Sequence, residues 1–194
     1  MPLDDEQLQA LAHLPIRRIS GLYFRQTKPK RQPLDLPAVA PRDARWHRKG
    51  DPWPAYGGEP PLAVMLEQAR YVALMPGEEV LPVRRLSELH VSDLATIDLI
   101  NPLALDQLKL TSVDLRGDDT AEFCRELADA AWEAHPDAHA LLAPSTPLDG
   151  ATVLVVRPAG FEAIEVGKQT LVQLLPTVVE PDEDDDVGGA TGAH

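Results

Sequence analysis

Apolar and polar positions along the chain change period several times, and each change marks an element. In DDEQLQALAHL, from Asp4 to Leu14, apolar residues return at helical spacing. Asp4 or Asp5 is placed to cap this short helix and Pro15 to end it. ISGLYFRQT then alternates with period two, predicting a strand entered through Gly21 with Tyr23 and Arg25 on one side. The prolines between Pro29 and Pro41 predict a loop, and DPWPAYGGEPP predicts a turn-rich lead-in. PLAVMLEQARYVAL restores the helical period, with Pro61 in the first turn and a stripe at Leu62, Met65, Leu66 and Ala69. Glu67 falls beside that stripe.

Further on, VLPVRRLS and ATIDLIN predict two strands, and TAEFCRELADAAWEAH a helix that Thr120 can cap. HALLAP reads as a buried strand ending at Ser145, and ATVLVVRP as the strongest strand of the chain. A strand, with or without a short helix, is expected across EAIEVGKQTLVQLLP. Strands and helices do not alternate as in a doubly wound sheet. The pattern predicts an α+β fold, one mixed α/β domain, and the 194 residues suffice for one core rather than two.

Charge changes this picture locally. The formal net charge is −13, but EPDEDDD, from Glu180, holds six acids and no base and has the composition of disorder. Without it the charge is still about −7, which opposes direct nucleic-acid binding. More than half of the bases fall between Arg17 and Lys49, where they either attract a small anion or balance surface acids. The lone Cys124 excludes an internal disulfide. No apolar run is long enough for a membrane span, and an acidic start does not suit a signal peptide, so a cytoplasmic location is expected. Nucleotide-binding glycine loops, nucleophile elbows and metal-spaced histidines are all missing, so no metal is expected.

Four residues have chemistry that stands out, though each also has an ordinary structural reading. Arg45 has a rigid fork of donors suited to a pyrophosphate or carboxylate, or to a surface ion pair. Tyr56 can stack on a flat cationic ring or simply anchor its loop. Glu67 can offset positive charge growing on an anomeric carbon, or lie on a solvated helix face. Ser145 can hold a phosphate or ribose oxygen, or serve as a turn residue.

Taken in order, these residues resemble the RES-domain family, named for its arginine, glutamate and serine. ARWHRKG supplies the Arg-aromatic pair as Arg45 and Trp46, with His47 where the family commonly has asparagine. Tyr56 and Glu67 follow at successive intervals of eleven, and LLAPS supplies Ser145. Upstream, LYFR is similar to the family's opening strand and puts Arg25 on its arginine.

The resemblance implies a compact fold like that of ADP-ribosyltransferases and a toxin of a bacterial toxin–antitoxin pair that degrades NAD at the nicotinamide–ribose bond. It makes NAD a substrate, with water or phosphate as acceptor, and implies a cognate antitoxin with a helix-turn-helix part. Arg45, Tyr56, Glu67 and Ser145 would form the catalytic set, and Arg25, Arg45, Tyr56 and Ser145 would contact NAD. A protein-directed ADP-ribosyltransferase and a non-catalytic binding module remain open beside it. The expected organisation is a helical segment over 1–20, a catalytic domain over 21–179 and an acidic tail over 180–194.

Overall fold

The computed structural model describes residues 2–73 and 83–173. Helix α1 (Asp5–Ala12) opens on a capping box: the Asp4 side chain accepts from the Gln7 amide, and the Gln7 side chain accepts from the Asp4 amide. Strand β1 (Ile16–Thr27) follows, so residues 16–20 belong to the sheet rather than to a separate helical segment. Next come β2 (Ala55–Glu59), α2 (Pro61–Ala73), β3 (Val83–Asp98) and α3 (Pro102–Gln107). The order then runs through α4 (Ala121–Ala134), β4 (Ala140–Pro144), β5 (Thr152–Val156) and β6 (Ile164–Gln173). The acidic run from Glu180 lies outside the described residues.

The strand order is β1-β2-β5-β4-β3-β6, and β3 also pairs with β1, which closes the first five strands on themselves. Closure is narrow at β1–β2, where Phe24 faces Gly58. The β3–β4 pair is parallel and the remaining pairs are antiparallel. β4 is buried along its whole length, as its unbroken apolar run requires. Its alternate residues feed two cores. Leu141 and Ala143 meet Leu11, Trp46, Leu127 and Val155 on the helical side, while Ala140 and Leu142 meet Tyr23, Leu89 and Leu154 on the other. Helix α4 buries Phe123, Cys124, Leu127, Ala128 and Ala131, each large apolar side chain contributing roughly 1.5–3 kcal/mol.

Four local expectations change. DPWPAYGGEPP is not only turn: its centre is β2. The glycines that suggest a turn are there because the strand runs close to its neighbours. A Cβ on Gly58 would lie 2.8 Å from the Thr152 carbonyl oxygen and 3.1 Å from Val64 Cγ2. The same close approach turns α2, so that Ala63 is buried while Leu62 is 51% exposed, contrary to the predicted stripe. The two strands expected around residues 80–101 are one, β3, with residues 80–82 outside the described region. Asp93, at a φ of 50°, lies near the register shift beside Ile19 and Gly21 that let the pattern read as two. Finally, Thr120 makes no capping bond. A 3-10 turn over Asp118–Thr120 precedes α4, and the Thr120 hydroxyl donates to the Gly117 carbonyl instead.

Candidate active site

A pocket of about 270 Å³ opens where β1, β2 and the first turns of α2 face the ends of β4 and β5. Arg25, Arg45, Tyr56 and Glu67 all line it, and Ser145 lies directly behind Glu67. Residues spread over 120 positions therefore meet in one place. The rotation of α2 matters here: Ala63 and Glu67, one turn apart, face the pocket together with Val64 and Gln68.

Glu67 Oε1 accepts from the Thr146 amide at 3.2 Å and from Ser145 Oγ at 3.4 Å. Both are long bonds, and the carboxylate remains partly exposed to the pocket. Ser145 is fully buried, so it acts on the pocket through Glu67, whereas the next residue, Thr146, lines the wall itself. Both follow β4, whose pairing of Pro144 with Thr152 sets where the chain leaves the sheet.

The opposite wall is tied inward. Arg45 Nη2 donates to the Gly117 carbonyl at 2.9 Å, and its Nη1 donates to Thr120 Oγ1 at 3.0 Å and the Leu115 carbonyl at 3.2 Å. Arg25 Nε donates to the Pro33 carbonyl at 2.7 Å and its Nη1 to the Tyr56 carbonyl at 2.8 Å. This arginine pins the proline-rich loop to β2. Burial, with Arg31 near, pushes its pKa down to about 10, which leaves it charged at neutral pH. The Tyr56 hydroxyl meets His47 Nδ1 at 2.8 Å, and burial raises its pKa well above that of free tyrosine, so it stays protonated.

A second hollow of about 490 Å³ adjoins the pocket through Arg25, Gln26 and Gln68. Lys28, Arg31, Arg42 and Arg84 line it, none of its described lining residues is acidic, and Arg31 lies 5.8 Å from the Trp53 ring centre. Both ends of the Gln26 amide are buried without a hydrogen-bond partner among the described residues. Sequence reading passed over Gln26, Gln68 and Thr146, and took His47 only as standing where the family commonly has asparagine. The basic run between Arg17 and Lys49 signalled the hollow, and the position after Ser145 was the one available hint of Thr146. Among the described residues, no group of three histidine, cysteine or acidic side chains lies together to hold a metal. None of the described helices is long and apolar enough to cross a membrane.

The RES domain family model matches residues 15–175. No curated protein sequence matches the chain. Among solved structures, the chain is similar to one from the M. tuberculosis MbcT–MbcA toxin–antitoxin complex, with a TM-score of 0.67 and 23% sequence identity. The similarity covers 88% of this chain and 94% of that one. At that identity the likeness concerns the fold.

Proposed function

The chain belongs to the RES-domain family, and from that premise we propose that it consumes NAD by cleaving the nicotinamide–ribose bond, as the toxin of a toxin–antitoxin pair. The observation that carries the reading is the partly exposed Glu67 carboxylate, held by Ser145 and Thr146 at the wall of a pocket whose other side is cationic. The substrate is a glycoside whose leaving ring already bears positive charge. As the C1′–N bond breaks, its electron pair neutralises the ring nitrogen, and the positive charge moves to C1′ and the ribose ring oxygen. A fixed carboxylate favours that state over the ground state, and departure needs no strong general acid. Water or phosphate then attacks C1′.

The other residues have supporting roles. Tyr56 presents its ring to the nicotinamide. Arg25 and Arg45, anchored on backbone carbonyls, supply a fixed positive potential for the two phosphates. The adjoining cationic hollow gives a dinucleotide room to extend beyond the pocket. Ser145 orients Glu67 rather than meeting the ribose, since it is fully buried. An antitoxin is the expected protein partner, because the structural neighbour comes from such a complex.

Incubation of the purified chain with NAD tests the reading. Nicotinamide should appear, together with free ADP-ribose in water or its phosphate adduct when phosphate is added. Label from NAD found on protein instead would make it an ADP-ribosyltransferase. An inert mixture from well-folded protein free of antitoxin would refute NAD consumption.

A further inference from the structure

Tyr56 does not hold its place in the pocket alone. Its hydroxyl lies 2.8 Å from His47 Nδ1, and the two rings are tilted at 54° with centres 5.6 Å apart. His47 is itself buried, at 6% exposure. Against the effect of burial, the Trp46 backbone acts to lower the Tyr56 pKa and the Arg42 backbone acts to raise that of His47. In the tautomer that carries its hydrogen on Nε2, Nδ1 keeps its lone pair and accepts the Tyr56 O–H. The tyrosine hydroxyl is thereby turned toward His47.

We infer that His47 is a positioning residue for Tyr56, fixing the ring that faces the pocket through the hydrogen bond its neutral imidazole accepts. The inference rests on the proposed NAD-consuming role of the pocket. It also makes the arrangement sensitive to acid. A protonated His47 donates from both nitrogens, so the Tyr56 O–H loses its acceptor inside the protein. Burial is the largest influence on His47 and lowers its pKa. Asp51, the Arg42 carbonyl and Asp43 act to raise it, while Arg125 also lowers it. On another side His47 adjoins a hollow that it shares with Asp51, Asp129 and Arg157. Burial prevails, and the neutral form persists at and somewhat below the ordinary value of 6.5.

Asparagine separates this role from simple space filling. Its side-chain oxygen stands the same number of bonds from Cα as His47 Nδ1, so it can accept the Tyr56 O–H, and it cannot titrate. His47→Ala should lower kcat/KM for nicotinamide release on the order of tenfold to a hundredfold, the cost of a ring displaced by about an ångström. His47→Asn should recover most of that loss and remove the acid limb of the parent's pH profile.

A second readout does not depend on turnover. Nitrogen NMR of the imidazole should show the tautomer bearing hydrogen on Nε2 at pH 7. Tyr56→Phe, which removes the donor to Nδ1, should move the His47 titration midpoint upward. Equal turnover in His47→Ala, His47→Asn and the parent would overturn the positioning role. So would a His47 midpoint that Tyr56→Phe leaves unchanged. If no protein releases nicotinamide, the NAD reading fails, while the imidazole midpoint still decides whether the pair exists.

Discussion

The two walls of the pocket are built on opposite principles. On the Glu67 wall the carboxylate is held by two long hydrogen bonds and stays partly open, so it can still turn toward a ligand. On the Arg25–Arg45–Tyr56 wall, each polar head has at least one bond of 2.7 to 2.9 Å to a carbonyl or to His47, and Arg45 adds two of 3.0 and 3.2 Å. A group that reacts needs unsatisfied capacity, and a group that shapes a site needs none to spare. On the proposed reading, the residues that look alike as candidates in the sequence divide into a chemical side and a scaffold side.

That division predicts different failures. Glu67→Ala should cut kcat for nicotinamide release by about 100- to 1,000-fold, as for loss of one group that stabilises developing charge. Its thermal midpoint should fall by only a few degrees, because the two bonds it removes, to Ser145 and Thr146, are long and cost about 0.5–1.5 kcal/mol each. Arg45→Ala should act first on stability. It strips partners from the Leu115 and Gly117 carbonyls and the Thr120 hydroxyl, costing about 1–3 kcal/mol, or roughly 2–4 °C of midpoint per kcal/mol. Activity measured on the fraction still folded should fall less than in Glu67→Ala. The reverse ranking would break the comparison.

Ser145→Ala removes one long bond and should cost about 0.5–1.5 kcal/mol with a modest fall in kcat, readable by calorimetry and a rate assay. The smallest effect is one of pH. His47 has a lowered pKa in the fold, so between its folded and unfolded values the unfolded chain binds more protons. Its share of stability is intact above about pH 6.5 and is lost as pH falls toward the folded value. Denaturant midpoints for the parent and His47→Asn should therefore diverge below pH 6.5 and run parallel above it.

Much of the fold was legible because burial writes period into sequence. The apolar stripe of α4 and the continuous runs of β4 and β5 appear where patterning puts them, and of the two offered caps for α1 it is Asp4 that serves. β2 was hidden because proline and glycine signal turns locally, whereas Gly58 answers a contact with Thr152 almost a hundred residues away. β3 was split in sequence because Asp93 interrupts its apolar alternation without ending its pairing. In the site, motif order brought Arg45, Tyr56, Glu67 and Ser145 to attention. Which of them are free to meet a ligand was not legible. Hydrogen bonds to Leu115, Gly117 and Pro33 use backbone carbonyls, and no side-chain pattern announces a carbonyl. His47 was set aside as one of several scattered histidines, since its partner is a tyrosine nine positions on rather than a second metal ligand.

The most direct test is Glu67→Gln assayed for nicotinamide release, with its thermal midpoint taken on the same sample. The substitution keeps size and an acceptor for Ser145 and Thr146 and removes only the charge. The account predicts that release collapses toward the Glu67→Ala level while the midpoint stays within a few degrees of the parent, about the equivalent of 1 kcal/mol. Release at the parental rate, or a loss no greater than the loss of folded protein, would contradict the claim that this carboxylate carries the chemistry.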